Sequence, residues 1–347
     1  PPRACDSSWC CSRMSEAPLF VPRRGWRRPD PRRVAALGFA ASLAVAVASL
    51  AVPLPLRAPR LLPVPGSAIA DLGERAERAE RAMGQARDFI RSAKIRAMGA
   101  GALADPSGLV GQEVTPLVTT LGSLEAKRLS TNPVWARVLT ERLAAEGVGP
   151  GSVVAASLSG SFPGLNLALA AACDALGVRL IAVSSVTAST WGANQPGFTW
   201  PEMEAMLVEG GVIRPASVAV AAGGAADAAA DLAGEDRALA SRIRDAAAVR
   251  LGVPALRPGS FEEAVGLRLR AYRRAAAGAP VALYVNVGGA EASMGHSPAI
   301  LGVGTGFVTG RALRGTRGVT AWFAEQGVPI LMLLNVRELA LRWGVGL

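Results

Sequence analysis

Three hydroxyls at single-residue intervals, Ser157, Ser159 and Ser161, follow the apolar run Val153-Val154-Ala155-Ala156. Gly160, Pro163 and Gly164 punctuate the turn before Leu165-Asn166-Leu167-Ala168-Leu169 resumes at helical spacing. A serine becomes a nucleophile only beside a base, and this chain offers few. His296 is the only histidine, in the loop-like Met294-Gly295-His296-Ser297-Pro298. Lys127 is one of only two lysines, in Gly122-Ser123-Leu124-Glu125-Ala126-Lys127-Arg128, and a desolvated lysine serves as a base or an anion clamp. A catalytic set would therefore take Ser161 or Ser159 as nucleophile and His296 or Lys127 as base. The plain alternative is that these are ordinary loop residues, since Ser, Gly and Asn populate any strand-to-helix turn.

Known frameworks are excluded by spacing. A nucleophile elbow needs a serine between glycines at two-residue spacing, and Phe162 breaks that pattern after Ser161. A P-loop needs Gly-Lys after the glycine turn, and no lysine follows Gly164. One histidine and scattered carboxylates give no metal spacing, and no motif calls for a cofactor. Cys173, in the apolar helix after the turn, reads as a small buried hydrophobe.

The elements that must position these residues alternate. A helix from Pro133 to Glu146 precedes the strand at Val153; the helix running to Leu176 and a strand Arg179 to Val183 follow. Further strands are expected at Ser217 to Ala222, Val281 to Val287 and Pro329 to Asn335, with helices over Asp227 to Val249 and Phe261 to Ala277. Apolar runs without strict alternation predict an α/β fold, a mainly parallel sheet flanked by helices. In such a sheet the carboxyl ends of the strands converge on one edge. Ser184, Ser185, Thr187, Ser189, Thr190, Trp191 and Asn194 follow the second strand, and Gly223, Gly224 and Asp227 the third. Asn286, Gly288 and Gly289 end the next, and Asn335 ends the last. The expected result is an oxygen-rich cleft with glycine-exposed backbone N–H groups. Its candidate ligand-binding residues are Glu125, Lys127, Arg128, Ser161, Asn166, Ser184, Ser185, Trp191, Asn194, Asn286, Gly288, Gly289 and Asn335.

The formal charge of +10 is unevenly spread, with 10 Lys+Arg against 3 Asp+Glu in residues 1–60 and 27 against 24 after them. The later part is nearly neutral, which argues against a nucleic-acid partner. An uncharged run, Val34 to Leu56, is long enough to span a bilayer. Six arginines from Arg23 to Arg33 precede it, so the positive-inside rule keeps the N-terminus in the cytoplasm and the rest outside it. A cleaved signal ending near Ala46-Val47-Ala48 is the alternative. The expected plan is a basic segment 1–33, an anchor 34–56, a Pro-rich spacer 57–67, a juxtamembrane helical segment 68–114 and an α/β domain 115–347. Translation is expected to start at Met14, leaving 1–13, with Cys5, Cys10 and Cys11, outside the working protein. Ile69, Leu72, Ala76, Ala79, Met83, Ala86 and Ile90 step by three and four, a narrow seam that either packs on its own domain or pairs with a second copy in a homo-oligomer.

Leu121-Gly122-Ser123-Leu124-Glu125-Ala126-Lys127-Arg128-Leu129-Ser130-Thr131-Asn132-Pro133, then Gly160 to Asn166 and Ser184 to Asn194, resemble the poly-γ-glutamate system protein family. Asn286-Val287-Gly288-Gly289 and Pro329 to Asn335 fit it in the same order, and the resemblance runs from about Ser92 onward. It departs at Met332, where the family pattern places a histidine. The resemblance implies a membrane-anchored accessory protein of poly-γ-glutamate synthesis or export, partnered by the polymer or its synthase and export complex. The alternative is a serine-dependent hydrolase or transferase acting on γ-glutamyl bonds.

Overall fold

Short uninterrupted apolar runs become the inner strands, because a strand covered on both faces has no polar side. The computed structural model describes residues 71–346. The basic segment, the anchor expected at Val34 to Leu56 and the Pro-rich spacer lie outside the described residues. Among the described residues no helix is long and apolar enough to cross a membrane.

The described residues begin with α1 (Leu72–Met98), β1 (Val118–Thr120), α2 (Leu124–Ser130) and α3 (Val134–Ala145). The next elements are β2 (Val153–Leu158), α4 (Pro163–Leu176), β3 (Arg179–Ser185), β4 (Ala188–Ser189), β5 (Asn194–Gln195), β6 (Phe198–Thr199) and α5 (Trp200–Glu209). Then come β7 (Ser217–Ala221), α6 (Gly234–Leu251), α7 (Phe261–Ala276), β8 (Val281–Val287) and α8 (Glu291–Met294). Last are β9 (Gly306–Val308), α9 (Val319–Glu325), β10 (Ile330–Leu333) and α10 (Val336–Trp343).

The main sheet has the order β7-β3-β2-β8-β10-β9. All its pairings are parallel except β10 with β9. The chain starts at the central β2, steps outward through β3 to β7, then returns to the other side of β2 with β8 and β10. This doubly wound order creates a switch point between β2 and β8, the place where open α/β sheets commonly bind ligands. The antiparallel β9 is a three-residue edge strand containing a glycine, too short for any periodicity to announce. Two small ladders, β1 with β4 and β5 with β6, lie outside the main sheet.

Alternate residues of each inner strand feed two cores. Val154, Ala156, Leu283, Val285, Leu331 and Leu333 face a layer that includes α1, α3, α4 and α10. Val153, Ala155, Val183, Tyr284 and Met332 face α7 and α9. Met332 is therefore core, fully buried in β10. The narrow seam of α1 proves to be intramolecular: Ala76, Ala79, Met83, Ala86 and Ile90 are all buried, and the helix packs on α3 and α4. Small alanines let α1 approach closely, so this segment is part of the α/β body.

Helix boundaries follow local chemistry. Pro163 opens α4, where its missing N–H costs nothing, and left-handed Gly177 ends it. Thr199 and Glu202 form a reciprocal capping box at the start of α5. The expected helix from Asp227 begins only at Gly234. Ala226, Asp227 and Ala229 all have positive φ, because the Asp227 carboxylate is drawn inward to an arginine. The second strand runs two residues further than its apolar run suggests, to Ser185, and the last stops at Leu333. Asn335, with φ 45°, then starts α10.

Candidate functional site

Lys127 is the hub of the strand-end loops. Ser123 caps α2 by accepting from Ala126 N, and one turn later Lys127 and Ser130 form the buried face of this short helix. The Lys127 side chain passes beneath the loop Leu121–Ser123 to the β2–α4 turn. There its Nζ donates to the carbonyl of Ser161 at 2.5 Å and meets Ser189 Oγ at 2.7 Å. It also lies 3.7 Å from the centroid of the Phe162 ring. Burial pushes its pKa down to about 7, with no carboxylate to offset the desolvation. Near neutral pH the group is thus divided between ammonium and amine, the state in which a lysine can take up or release a proton.

The three turns around it interlock. Ser161 Oγ accepts from Ser189 N at 3.1 Å, and Ser161 N donates to Ser159 Oγ at 3.0 Å. Thr190 Oγ1 accepts from Gly122 N at 2.6 Å and donates to its carbonyl at 2.9 Å. Ala193 N reaches the Gly160 carbonyl at 2.7 Å. Gly164 is required by close approach, since a Cβ there would collide with the backbone of Ser130. Gly288 is required twice over: φ is 71°, and a Cβ would strike Ser159 Oγ. Through that contact the β8 end joins the β2 turn at the switch point.

Two buried amides sit beside this junction. Asn166, on α4, donates from Nδ2 to the Ser159 carbonyl at 2.9 Å, and Asn286, at the end of β8, donates to the Gly288 carbonyl. Both are fully buried, and the Oδ1 of each lacks a protein partner. An orphaned buried acceptor costs about 1–3 kcal/mol unless a water or ligand donor meets it.

The other expected site residues fall elsewhere. Ser184 and Ser185 lie inside β3. Ser184 Oγ donates to Glu204 at 3.1 Å and accepts from Trp200 Nε1 at 3.0 Å. Ser185 accepts from Arg268 at 2.8 Å. Asn194 braces the segment before β1, bonding both Gln112 N and Gln112 O. Trp191, with φ 63°, passes its backbone to the same strap. Gly289 packs against Met294. Glu125 is exposed and pairs with Arg337 at 3.3 Å; Arg128 is exposed and reaches the Ala104 carbonyl. Asn335 is exposed and donates to Glu338. His296 packs against Phe261 with the two rings tilted at 57° and their centroids 4.1 Å apart, lies 3.7 Å from Glu291, and hydrogen-bonds neither Ser159 nor Ser161. Of the two bases considered, only Lys127 meets the serine turn.

A second polar cluster lies under the loops on the α7 side. Arg268 bonds Asp227 through Nε and Nη2 at 2.6 and 2.8 Å, Ser157 at 3.0 Å and Ser185 at 2.8 Å. Ser157 Oγ also meets the hydroxyls of Tyr284 at 2.7 Å and Tyr272 at 3.1 Å. Burial opposes the guanidinium charge, but Asp227 more than offsets it and raises the Arg268 pKa. Burial likewise pushes both phenols up, so they stay protonated. Ser157 is thus a structural hydroxyl: it lies within β2 rather than in the turn, and it alone of the three serines faces this cluster.

Glu204 is a buried carboxylate with no cation paired to it among the described residues. It accepts from Ser217 N and Oγ, Ala216 N and Ser184 Oγ. Burial raises its pKa, and those donors oppose the rise. A raised folded pKa means stability is fully present below the ordinary carboxylate range and is lost as pH rises through the folded value. Glu204→Gln keeps one acceptor for the two N–H groups and offers the hydroxyls a donor. We expect it to match or exceed wild type by about 1 kcal/mol at pH 8 and to lose that advantage at pH 4, read from urea midpoints at both.

Two grooves open at the opposite end of the sheet. One of about 330 Å3 lies among α1, α4 and the starts of β3 and β7, and another of about 250 Å3 lies between α7 and α9. Cys173 lines the first, its thiol pushed up to about 12 by burial and therefore unreactive. Among the described residues no group of acidic, histidine and cysteine side chains could hold a metal ion.

Sequence reasoning placed Ser189 among the hydroxyls at the end of the second strand and Phe162 in the serine turn, but counted neither as a site residue, since both looked no different from their neighbours. It also missed Arg268 and Glu204, which were indistinguishable from charged residues on a helix surface. One signal was available, the rarity of lysine in this arginine-rich chain; the structure then shows both lysines, Lys94 and Lys127, to be buried. No protein-family model, no curated protein and no solved structure matches the chain.

Proposed function

We propose that this chain is a membrane-anchored accessory protein of poly-γ-glutamate synthesis or export, whose strand-end loops bind the polymer or its assembly partners outside the cytoplasm. The observation that supports it is a convergence. The segments that carry the resemblance are far apart in sequence, yet Lys127 touches Ser161, Phe162 and Ser189, and Gly288 lies against Ser159. Gly288 N in turn reaches the Leu333 carbonyl at 3.2 Å, which brings in the fifth segment. A lysine whose pKa burial has lowered suits a carboxylate-bearing ligand, because a bound anion raises that pKa and is held with uptake of a proton.

Exposed Arg128, Arg311, Arg314 and Arg317 supply the cationic surface a polyanion needs beyond that centre. Binding of poly-γ-glutamate to the full chain in nanodiscs is expected to weaken at least tenfold between about 50 and 300 mM salt, as screened charge contacts do. It should also tighten as pH falls from 8 to 6. Binding that is absent, or indifferent to both salt and pH, together with no synthase or export component co-purifying, would rule the reading out.

A further inference from the structure

We infer that Ser189 and Lys127 form a serine–lysine dyad for acyl transfer on γ-linked glutamyl amides. The substrate class rests on the proposed polymer; the dyad rests on geometry alone. Among the described residues Ser189 Oγ is the only side-chain hydroxyl hydrogen-bonded to Lys127 Nζ, at 2.7 Å. Ser161, the more obvious nucleophile, offers the lysine its backbone carbonyl instead, and its own Oγ is taken by Ser189 N. The contact fixes the Ser161 turn, the Ser189 loop and α2 in one arrangement, so the base is aimed by three elements rather than by its own flexible stem. The dyad is dry, with Lys127 2 % and Ser189 4 % exposed. A neutral amine held without a carboxylate partner is the form that can accept a hydroxyl proton. The amino end of α4 starts two residues beyond Ser161 and favours negative charge nearby.

The steps balance without a metal or redox partner. Lys127 Nζ takes the Ser189 Oγ proton as Oγ bonds the amide carbon; the C–N bond breaks, and the new ammonium returns that proton to the leaving amine. Water then attacks the acyl-serine, its proton passing to Lys127 and on to Ser189 Oγ as the ester opens, which frees the carboxylic acid and restores both residues. An amine acceptor in place of water gives transfer instead. Substrate reaches Ser189 by displacement of the covering loop Leu121–Ser123. Gly122 packs over Ser189 Oγ, Leu121 is 80 % exposed, and Thr190 Oγ1 alone ties Gly122 down by side-chain bonds.

The test treats the full chain in nanodiscs with a fluorophosphonate and with a γ-glutamyl oligomer, each followed by mass spectrometry. We expect phosphonylation mapped to Ser189, with a rate that rises with pH around a midpoint near 7. It should be abolished in Ser189→Ala and reduced at least a hundredfold in Lys127→Met, both checked as folded by thermal melting. The oligomer should shorten with wild type only. Labelling at another serine, labelling with no midpoint between pH 6 and 8, or full labelling in Lys127→Met overturns the dyad. If Lys127→Met fails to fold, the wild-type pH profile and the mapped position decide alone. Polymer bound but neither labelled nor cut sinks the dyad and leaves the accessory role standing; Ser189 labelled without any polymer bound or cut sinks the polymer reading and leaves the dyad.

Discussion

Arg268→Met is expected to cost about 3–5 kcal/mol and to lower the melting temperature by about 10 °C, because it leaves Asp227 as an uncompensated charge at zero exposure. The size of the effect comes from what the arginine leaves behind rather than from the pair's net worth. Asp227 has no route to solvent from its left-handed turn. Ser157 and Ser185 each lose a charge-assisted donor as well. Methionine fills most of the volume, so cavity formation is a minor part. Replacing both partners, Arg268→Met with Asp227→Asn, should recover at least half of the loss, and the double-mutant cycle gives the coupling directly. A single-variant loss below about 1 kcal/mol would show that water reaches Asp227 and that the cluster does not hold the β3 and β7 ends together.

That cluster also explains what could and could not be read from the residues. The apolar run Val153–Ala156, which the structure carries two residues further to Leu158, and the strand Val281–Val287 were legible because a doubly covered strand is apolar over most of its length, and that pattern needs no partner to be recognised. The convergence of strand ends on one edge followed from parallel pairing alone. The character of that edge did not. Ser157, Ser184 and Ser185 look like loop hydroxyls awaiting a ligand, yet their partners are Arg268 on α7 and Glu204 on α5, at separations of 111, 20 and 83 residues. No local rule connects residues that far apart. Likewise Asp227 reads as the start of a helix by composition, and only the buried arginine explains why the chain turns left-handed there. The rarity of lysine was visible in the sequence; its burial was not, because α2 is too short for its inward face to be fixed by periodicity.

The same asymmetry between visible rarity and hidden burial makes Lys127→Met the second large effect, one whose sign depends on pH. The folded pKa of about 7 lies below the ordinary 10.5, so between those values the unfolded chain holds a proton that the folded chain lacks. Stability must therefore climb as pH rises across that window, by at most roughly 5 kcal/mol. Lys94, lowered to about 8 by its own burial, adds a smaller slope of the same sign, so wild type alone cannot separate the two. The difference between wild type and Lys127→Met cancels Lys94 and isolates Lys127. Methionine keeps the stem and its contact with Phe162 but gives up the bonds to Ser161 and Ser189. At pH 6 the variant should equal or exceed wild type, because no charge is then being buried. At pH 9.5 wild type should lead by about 2–3 kcal/mol, with an amine satisfied by two partners against a thioether that leaves both unmet. Urea midpoints at those two pH values decide it. A difference that does not change with pH would mean that Lys127 keeps an ordinary pKa, through water or an anion at its side, and would remove the neutral amine on which proton transfer at Ser189 depends.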